Sequence, residues 1–506
     1  MRIALLASLL WLQGVEGYKS QLRDSIASHQ VEKAEEAIAK LVEKNSEPAA
    51  EALLSAALAV YKSFADLAKD SAKLQQIHRR TFADYQKSSD SNEQAEFRDK
   101  LNDLEKRIFT LEIHLNRASL IQERLTLALT EFSDPKAVAA ILDRLQSSPD
   151  WPIRAITSLA LSLSPQGDFN AVTQALLERL KKEKIPNVVV ALMEGLRKRQ
   201  DKRAEIVAAL IELLKSEHWQ IVVTAAKYLD DIEDKSATKP LIDALERTDG
   251  RIRSDLHQSL VKLTGVQRSE DPEAWKAWWK ENGAPFVEGQ YVPPPGERAE
   301  PSRRGEFFGL PVHSRNVIFI LDRSDSMREE LVWPLTDDDR SVLDQIAAPG
   351  KSKIEIARFQ VKKALLRLPP KTRFNILYYN EATRLFSDEM ATLDDKTRKK
   401  AFDFIDSVQP SGGTDLHLAL GTALAYARDS DGLLRREGAD TLFLLSDGLP
   451  NSGQVTSADR ILSRLWTQNI INRMDIHTVY TGKDRGKGLD LMKEIAKRNN
   501  GRCVFR

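Results

Sequence analysis

The feature that most constrains this chain is a repeat. Between Asp134 and Gly265 four short phrases recur: AILDRL at 140–145, ALLERL at 175–180, ALIELL at 209–214 and PLIDAL at 240–245, at intervals of 35, 34 and 31 residues. Each is followed by a polar turn and a second apolar segment: WPIRAITSLALSL, NVVVALMEGL, WQIVVTAAKYL and RIRSDLHQSLVKL. One helix pair of this length cannot bury its own apolar face, so successive pairs must stack, and a solenoid is the expected product. The charged run from Arg197 to Arg203 reads as a solvated face of it. Asp271 to Gly283, DPEAWKAWWKENG, places Trp275, Trp278 and Trp279 on one side of a further helix. A solenoid needs a lid over its last repeat, and three indoles supply the apolar area; an aromatic cage for a cationic ligand is the alternative use.

Upstream, Tyr18 to Phe132 contains no glycine and a single proline, Pro48, so it reads as continuous helix with few breaks. Phe97, Leu101, Leu104, Ile108, Leu111 and Leu115 alternate spacings of four and three, a coiled-coil seam of minimal length. An antiparallel hairpin is the expected form, turning at the polar stretch SSDSNEQ, 88–94. The first residues, MRIALLASLLWLQGVEG, have one arginine, an apolar run from Ile3 to Leu12 and then small residues, the outline of a secretory signal peptide ending at Gly17. A buried first helix is the alternative. The run is too short for a permanent membrane anchor. On this reading the protein is exported, to periplasm, envelope or medium; without a leader it stays in the cytoplasm.

The 506 residues allow two or three domains, and a formal net charge of +1 gives no field that would draw the chain to nucleic acid or an acidic membrane. The lone Cys503 excludes an internal disulfide and a cysteine-based zinc site. Expected divisions are a leader at 1–17, a helical hairpin region at 18–132, helical repeats with their tryptophan-rich cap at 133–283, a proline-rich linker at 284–305 and a final domain at 306–506. The linker, with Pro285, Pro293, Pro294, Pro295 and Pro301, reads as an extended spacer.

In the last domain the pattern changes to alternating strands and helices. VIFIL (317–321), FNILYYN (374–380), RLFS (384–387), TLFLLS (441–446), MDIHTVYT (474–481) and CVF (503–505) read as strands, with amphipathic segments between them. Such alternation builds a mainly parallel sheet covered on both faces, with ligands beyond the carboxyl ends of the strands. Asp322 and Asp447 each end a buried strand and therefore reach that rim. Ser324 and Ser326 follow Asp322 at alternate positions, and Thr414 lies in the glycine turn SGGTD. Two carboxylates and three hydroxyls are hard oxygen donors suited to Mg²⁺ or Mn²⁺ rather than zinc.

Those three motifs, DRSDS, SGGTD and LLSDG, occur in the order of a von Willebrand factor A domain, which residues from about Asn316 onward resemble, with a complete metal-ion-dependent adhesion site. The resemblance implies a doubly wound α/β fold and a Mg²⁺, Mn²⁺ or Ca²⁺ site. Ser324, Ser326 and Thr414 would supply hydroxyl oxygens, and Asp322 and Asp447 would hold waters around the ion. It also implies a protein partner presenting a Glu or Asp as a further ligand. Asp325 stands where bacterial members usually carry glycine; it either points to solvent or adds a carboxylate near the ion. Asp415 is expected to cap the following helix. The repeats resemble HEAT repeats, with Arg154 and Arg253 at the arginine position early in the second helix. Helical repeats, a tryptophan-rich helix and an A domain together resemble bacterial exported or envelope proteins.

The segment from Arg328 to Lys351 is an insertion at the rim, expected to be a solvated loop, with a second cation at Asp337, Asp338 and Asp339 as the alternative. His313, His417 and His477 are expected to be surface or packing residues. The functional expectation is a metal-dependent binding protein and not an enzyme. The alternatives are a metal-free scaffold, or a non-catalytic subunit of a chelatase-like enzyme. The sequence has no Walker loop, no H-E-x-x-H helix and no G-x-S-x-G elbow.

Overall fold

The structure is a computed structural model describing residues 2–163, 169–200, 203–292, 305–453, 455–483 and 485–506. The chain forms two compact units, Met1–Asp201 with Ser430–Leu433, and Lys202–Asp429 with Leu434–Arg506. The sequence suggested divisions near 132 and 283. The division falls instead inside the repeat array, so the last two repeats belong with the sheet.

The first unit is helical: α1 (Arg2–Ala27), α2 (Val31–Lys44), α3 (Glu47–Lys87), α4 (Ser91–Ala128), α5 (Pro135–Ser147), α6 (Trp151–Leu163), α7 (Phe169–Lys182) and α8 (Pro186–Lys198). The stretch read as a leader is the first part of α1, and Val15 within it is buried. Helices α3 and α4 form the expected hairpin. Its turn ends on Asp90, whose carboxylate accepts from the amides of Asn92 and Glu93 at 2.7 and 3.1 Å, the usual N-terminal cap. Of the seam residues, Leu101 and Leu104 are buried. In the repeats, Arg154 donates to the carbonyls of Ser148 and Pro149 in the turn before its own helix. It also pairs with Glu183 at 2.8 Å, joining α6 to the end of the following repeat's first helix. Burial works against the Glu183 charge. Hydrogen bonds from Arg154, the Ile185 amide and Arg179 outweigh it and hold the carboxyl at about 2.

The second unit begins with α9 (Ala204–Leu213), α10 (Trp219–Ile232), α11 (Thr238–Arg247), α12 (Gly250–Thr264) and α13 (Pro272–Val287). Arg253 donates to the Thr248 carbonyl at 2.7 Å, the same turn-closing bond that Arg154 makes. Helix α13 is the expected lid. Trp275 and Trp278 are buried, and Trp278 meets Phe286 and Tyr291 edge-on at 5.6 and 5.4 Å. Its indole N–H donates to the Tyr291 hydroxyl at 3.1 Å. Trp279 is half-buried over Gly283, where a Cβ would come within 2.8 Å of the ring. Because Phe286 joins this cluster, the helix continues through Pro285 to Val287, and the extended spacer does not begin at residue 284. Pro293, Pro294, Pro295 and Pro301 lie outside the described residues.

A short hairpin follows, β1 (Glu306–Phe307) and β2 (Leu310–Pro311), which the sequence reading missed. The main sheet contains β3 (Asn316–Asp322), β4 (Arg373–Tyr379), β5 (Thr383–Leu385), β6 (Ala391–Thr392), β7 (Thr441–Ser446), β8 (Asp475–Tyr480) and β9 (Cys503–Phe505). Its order is β5-β4-β3-β7-β8-β9, with β6 also on β4. Strands β3, β4, β7, β8 and β9 are parallel and β5 and β6 antiparallel. Helices α14 (Asp337–Arg340), α15 (Lys353–Arg367), α16 (Asp395–Ser407), α17 (Leu416–Leu424), α18 (Ala458–Asn472) and α19 (Lys487–Arg498) complete the doubly wound α/β arrangement. Apart from their first residues, β3 and β4 are buried throughout, as is all of β7, which explains their unbroken apolar runs.

The insertion at 328–351 is solvated over part of its length, with Val332 exposed, but its middle is packed on the domain. Asp339 is fully buried and accepts from Lys363 at 2.6 Å, Gln360 at 3.0 Å, the Thr336 amide and the Trp333 indole. Lys363 also reaches Asp338 at 3.1 Å. Asp338 and Asp339 thus already hold an ammonium where a second cation was the alternative, and Asp337 pairs with Arg340. Val342 and Ile346 bury against Phe359 of α15.

The amino end of the sheet rests on the last two repeats through Arg251 of α12. Its guanidinium is buried over the Trp219 ring, pairs with Asp475 at 2.8 Å and Asp255 at 3.0 Å, and donates to the carbonyls of Asp440 and Arg473. Gln220 of α10 donates to the Arg435 carbonyl at 3.0 Å. Two buried carboxyls, on Asp440 and Asp475, and the half-buried one of Asp255 surround one guanidinium. Burial pushes Asp475 up to about 7 against the pull of Arg251.

Two predictions follow from this packing. Trp278→Ala removes the centre of the lid and is expected to cost about 3–5 kcal/mol in urea unfolding; a loss under about 1 kcal/mol would contradict the lid role. Asp475, with its pKa raised above the ordinary carboxyl value of 3.8, stabilises the fold while protonated. That contribution is complete below pH 3.8 and lost as pH rises through about 7. Asp475→Asn is expected to flatten the fall in stability across that window. A stability that rises with pH there, and is lowered by the substitution, would mean Asp475 acts as an ionised partner of Arg251.

Candidate metal centre

The site lies where β3 and β7, hydrogen-bonded neighbours, both end. Leu321 is in register with Leu445, so Asp322 and Ser446 emerge side by side and Asp447 follows. On the other flank of β3 the chain turns to β4, which makes this the point where strand order reverses, the place at which sheets of this kind bind ligands.

Asp322 is fully buried, one carboxylate oxygen accepting from the Ser324 amide at 2.8 Å. The other takes the Ser446 hydroxyl at 3.1 Å and the Tyr379 hydroxyl at 3.3 Å. Burial and the nearby Asp447 charge push its pKa up to about 6, against these bonds. The hydroxyls of Ser324 and Ser326 are 3.1 Å apart, and that of Ser326 donates to Asp447 Oδ1 at 2.9 Å. Ser324, Ser326 and Asp447 therefore form one hydrogen-bonded chain, with Asp322 joined through backbone.

Thr414 is buried and attached through its own backbone. Its amide donates to Asn451 Oδ1 at 2.8 Å, and its carbonyl accepts from the Asn451 amide at 3.1 Å and the Ser452 amide at 3.3 Å. The loop after Asp447 thus grips the Thr414 loop. Asp325 adds a second tie: its amide donates to the Gly412 carbonyl at 3.0 Å and its carboxylate accepts from the Gly412 amide at 3.1 Å. Gly412 has φ +73°, the left-handed conformation that tight turn requires. Asp325 is exposed, but it does not simply point into solvent; it braces two loops. Asp415 caps α17 as expected, accepting from the Leu418 amide at 2.9 Å.

Five residues of this region escaped the sequence reading: Tyr379, Ser446, Asn451, Glu329 and Lys353. Lys353 is buried, and its ammonium donates to Asp447 Oδ2 at 2.7 Å and Glu329 at 2.9 Å. One signal existed. Lys353 is the first residue of α15, capped by Ser352, and a cation at a helix N-terminus opposes the helix dipole unless carboxylates compensate it. The histidines are packing residues where burial is clear. His417 is buried and held well below its ordinary pKa by desolvation, and His477 stacks on Phe443 at 4.9 Å.

The donor set fits a small hard cation. Two hydroxyls in contact, a third on a clamped turn and two carboxylates give oxygen donors at the strand rim, with the carboxylates already oriented from behind.

Residues 345–505 match the von Willebrand factor type A domain family and residues 173–261 the HEAT repeats family. Among curated proteins, the chain is 21% identical to human inter-alpha-trypsin inhibitor heavy chain H2 over 189 residues, 37% of this chain and 17% of that protein. It is 26% identical to mouse inter alpha-trypsin inhibitor heavy chain 4 over 147 residues, 29% of this chain and 13% of that one. The chain thus spans less than a fifth of the length of these relatives. Among solved structures, a von Willebrand factor type A protein from Catenulispora acidiphila is 19% identical, with 38% of this chain and 39% of that chain covered and a TM-score of 0.28. Proximal thread matrix protein 1 from the mussel byssus, in a form with a zinc-occupied MIDAS motif, is 14% identical, with 38% and 43% covered and a TM-score of 0.25.

Asn451→Ala removes the acceptor for the Thr414 amide. Exchange of that amide is expected to quicken about 5- to 10-fold, the effect of about 1 kcal/mol of lost hydrogen bonding. Unchanged exchange would show that Asn451 does not hold the loop.

Proposed function

We propose, on the premise that residues 306–506 form a von Willebrand factor type A domain behind HEAT repeats, that this chain is a metal-ion-dependent protein-binding protein. Ser324, Ser326, Thr414, Asp322 and Asp447 would hold a divalent cation, Mg²⁺ with Mn²⁺ or Ca²⁺ as alternatives, which bridges to an acidic side chain of a partner. The observation that carries this reading is the hydrogen-bonded run from Ser324 through Ser326 to Asp447, which draws donors 121 residues apart in sequence to one strand rim.

When bound, the ion would supply an electropositive centre with a position open to a carboxylate. The chain's part is to present and orient oxygen. Ser324 and Ser326 bring neutral hydroxyls, which leave such a centre short of negative charge. Tyr379 and Ser446 fix Asp322 from below, and Ser326 fixes Asp447. Asn451 and Asp325 fix the turn that carries Thr414. The last two repeats act as a base, bound through Arg251 at the end of the sheet away from this rim. No catalytic role is proposed. The arginine and apolar run at the start of α1 support export on a leader of residues 1–17; among the described residues no helix is long and apolar enough to cross a membrane.

A second reading is a scaffold whose A domain works without metal. It is favoured by Lys353, which already neutralises Asp447. Calorimetry separates the two. Mg²⁺ and Mn²⁺ are expected to bind the wild-type chain with one-site stoichiometry, and Asp322→Ala and Thr414→Ala to weaken binding about 10- to 100-fold. Equal heats in all three proteins would favour the scaffold.

A further inference from the structure

Lys353 is a buried cation bonded directly to a carboxylate of the proposed metal site, and the structure surrounds it with a consistent set of contacts. Its side chain is 2% exposed and its partner Asp447 is 1% exposed, so this ion pair is screened from solvent. Asp447 divides its two oxygens between Ser326, at 2.9 Å, and Lys353, at 2.7 Å. Glu329 takes the same ammonium at 2.9 Å and is in turn met by Lys483 at 3.3 Å. The ammonium is thus bonded to two carboxylates at once. Among the described residues, the hydrogen-bond partners of the Asp322 carboxylate are an amide and two hydroxyls, with no lysine or arginine.

Charge then decides what the site can bind. Asp322 and Asp447 contribute two negative charges, which alone would neutralise a divalent cation completely. Lys353 takes up one of them, and the charge of Glu329 on the same ammonium is balanced by Lys483. Resting on the metal-dependent reading above, we infer that Lys353 is a built-in counter-cation, which weakens binding of a divalent ion on its own and leaves the loaded site with a net positive charge that an anionic ligand completes. The site is thereby tuned so that metal and partner carboxylate bind together, each strengthening the other. Lys353 acts through Asp447 and is a specificity-determining residue. Its position accounts for the ammonium at the N-terminus of α15: the helix dipole disfavours it there, and two carboxylates hold it in place.

The test is Mn²⁺ titration of the full chain by calorimetry, with and without acetate as a carboxylate probe, on wild type, Lys353→Met, Lys353→Gln and Lys353→Arg. Lys353→Gln keeps a hydrogen bond to Asp447 without the charge, and so covers the case in which Lys353→Met fails to fold. Loss of the charge is expected to tighten Mn²⁺ binding about 10-fold or more, by removal of a like charge from a site of low dielectric. Lys353→Arg is expected to stay near wild type. Acetate is expected to strengthen Mn²⁺ binding in wild type and Lys353→Arg, and less in the two neutral variants. A melting curve supplies an independent readout: without metal the neutral variants melt lower than wild type, and Mn²⁺ raises their melting temperature by more. If the neutral variants bind Mn²⁺ no tighter than a wild type that does bind it, Lys353 is only a strut and this inference falls while the metal site stands. If neither wild type nor variants bind Mn²⁺, both fall.

Discussion

The register between β3 and β7 is the constraint from which the site follows. Two parallel strands paired Leu321 to Leu445 must end at the same height, so the residues that follow them are neighbours whatever loops come after. Asp322 and Ser446 bond directly, and Ser326 closes the remaining distance to Asp447. The loops then add restraint, not position. Asn451 and Asp325 each pin the Thr414 turn, one from the loop after β7 and one from the loop after β3. A change in any one of these loops is therefore felt by the other two.

Helix α15 supplies the positive charge on which this side of the domain depends. Lys353, at its start, is buried against Asp447 and Glu329, and Lys363, ten residues on, is buried against Asp339, Asp338 and Glu306. The first bonds the rim carboxylate of Asp447; the second holds the 328–351 insertion to the domain. A buried ammonium with well-placed carboxylates costs much to break and little to keep, so both lysines fix geometry more than they add net stability. At the other end of the sheet Arg251 has the corresponding role, holding the domain to the last two repeats through carbonyls and carboxyls together. The contacts of Arg251 thus lie at the end of the sheet opposite the rim that carries Asp322 and Asp447.

Much of this was legible in the sequence. Unbroken apolar runs gave the central strands, the repeat period gave the helix pairs, and the placement of Asp322 and Asp447 at strand ends gave the rim. The indoles of Trp275 and Trp278 were readable as a lid because their spacing needs only local geometry. What was not legible depends on contacts between distant segments. Asp339 looked like part of a solvated acidic turn because Lys363, its partner, lies on a helix 24 residues away. Arg251 stands two residues before the arginine that fits the repeat pattern, and nothing local distinguishes it; its partner Asp475 is more than two hundred residues downstream. The hairpin of β1 and β2 is too short for a period to register, and α13 outran its expected end because Phe286 completes a cluster that the run of prolines concealed.

The most direct test of the central claim is anomalous diffraction from crystals of the full chain grown with Mn²⁺. The account predicts a single strong peak at the rim, within about 2.0–2.4 Å of oxygen atoms from the Ser324 and Ser326 side chains. No peak there, with Lys353 and Asp447 still bonded and manganese absent or bound elsewhere, would contradict it.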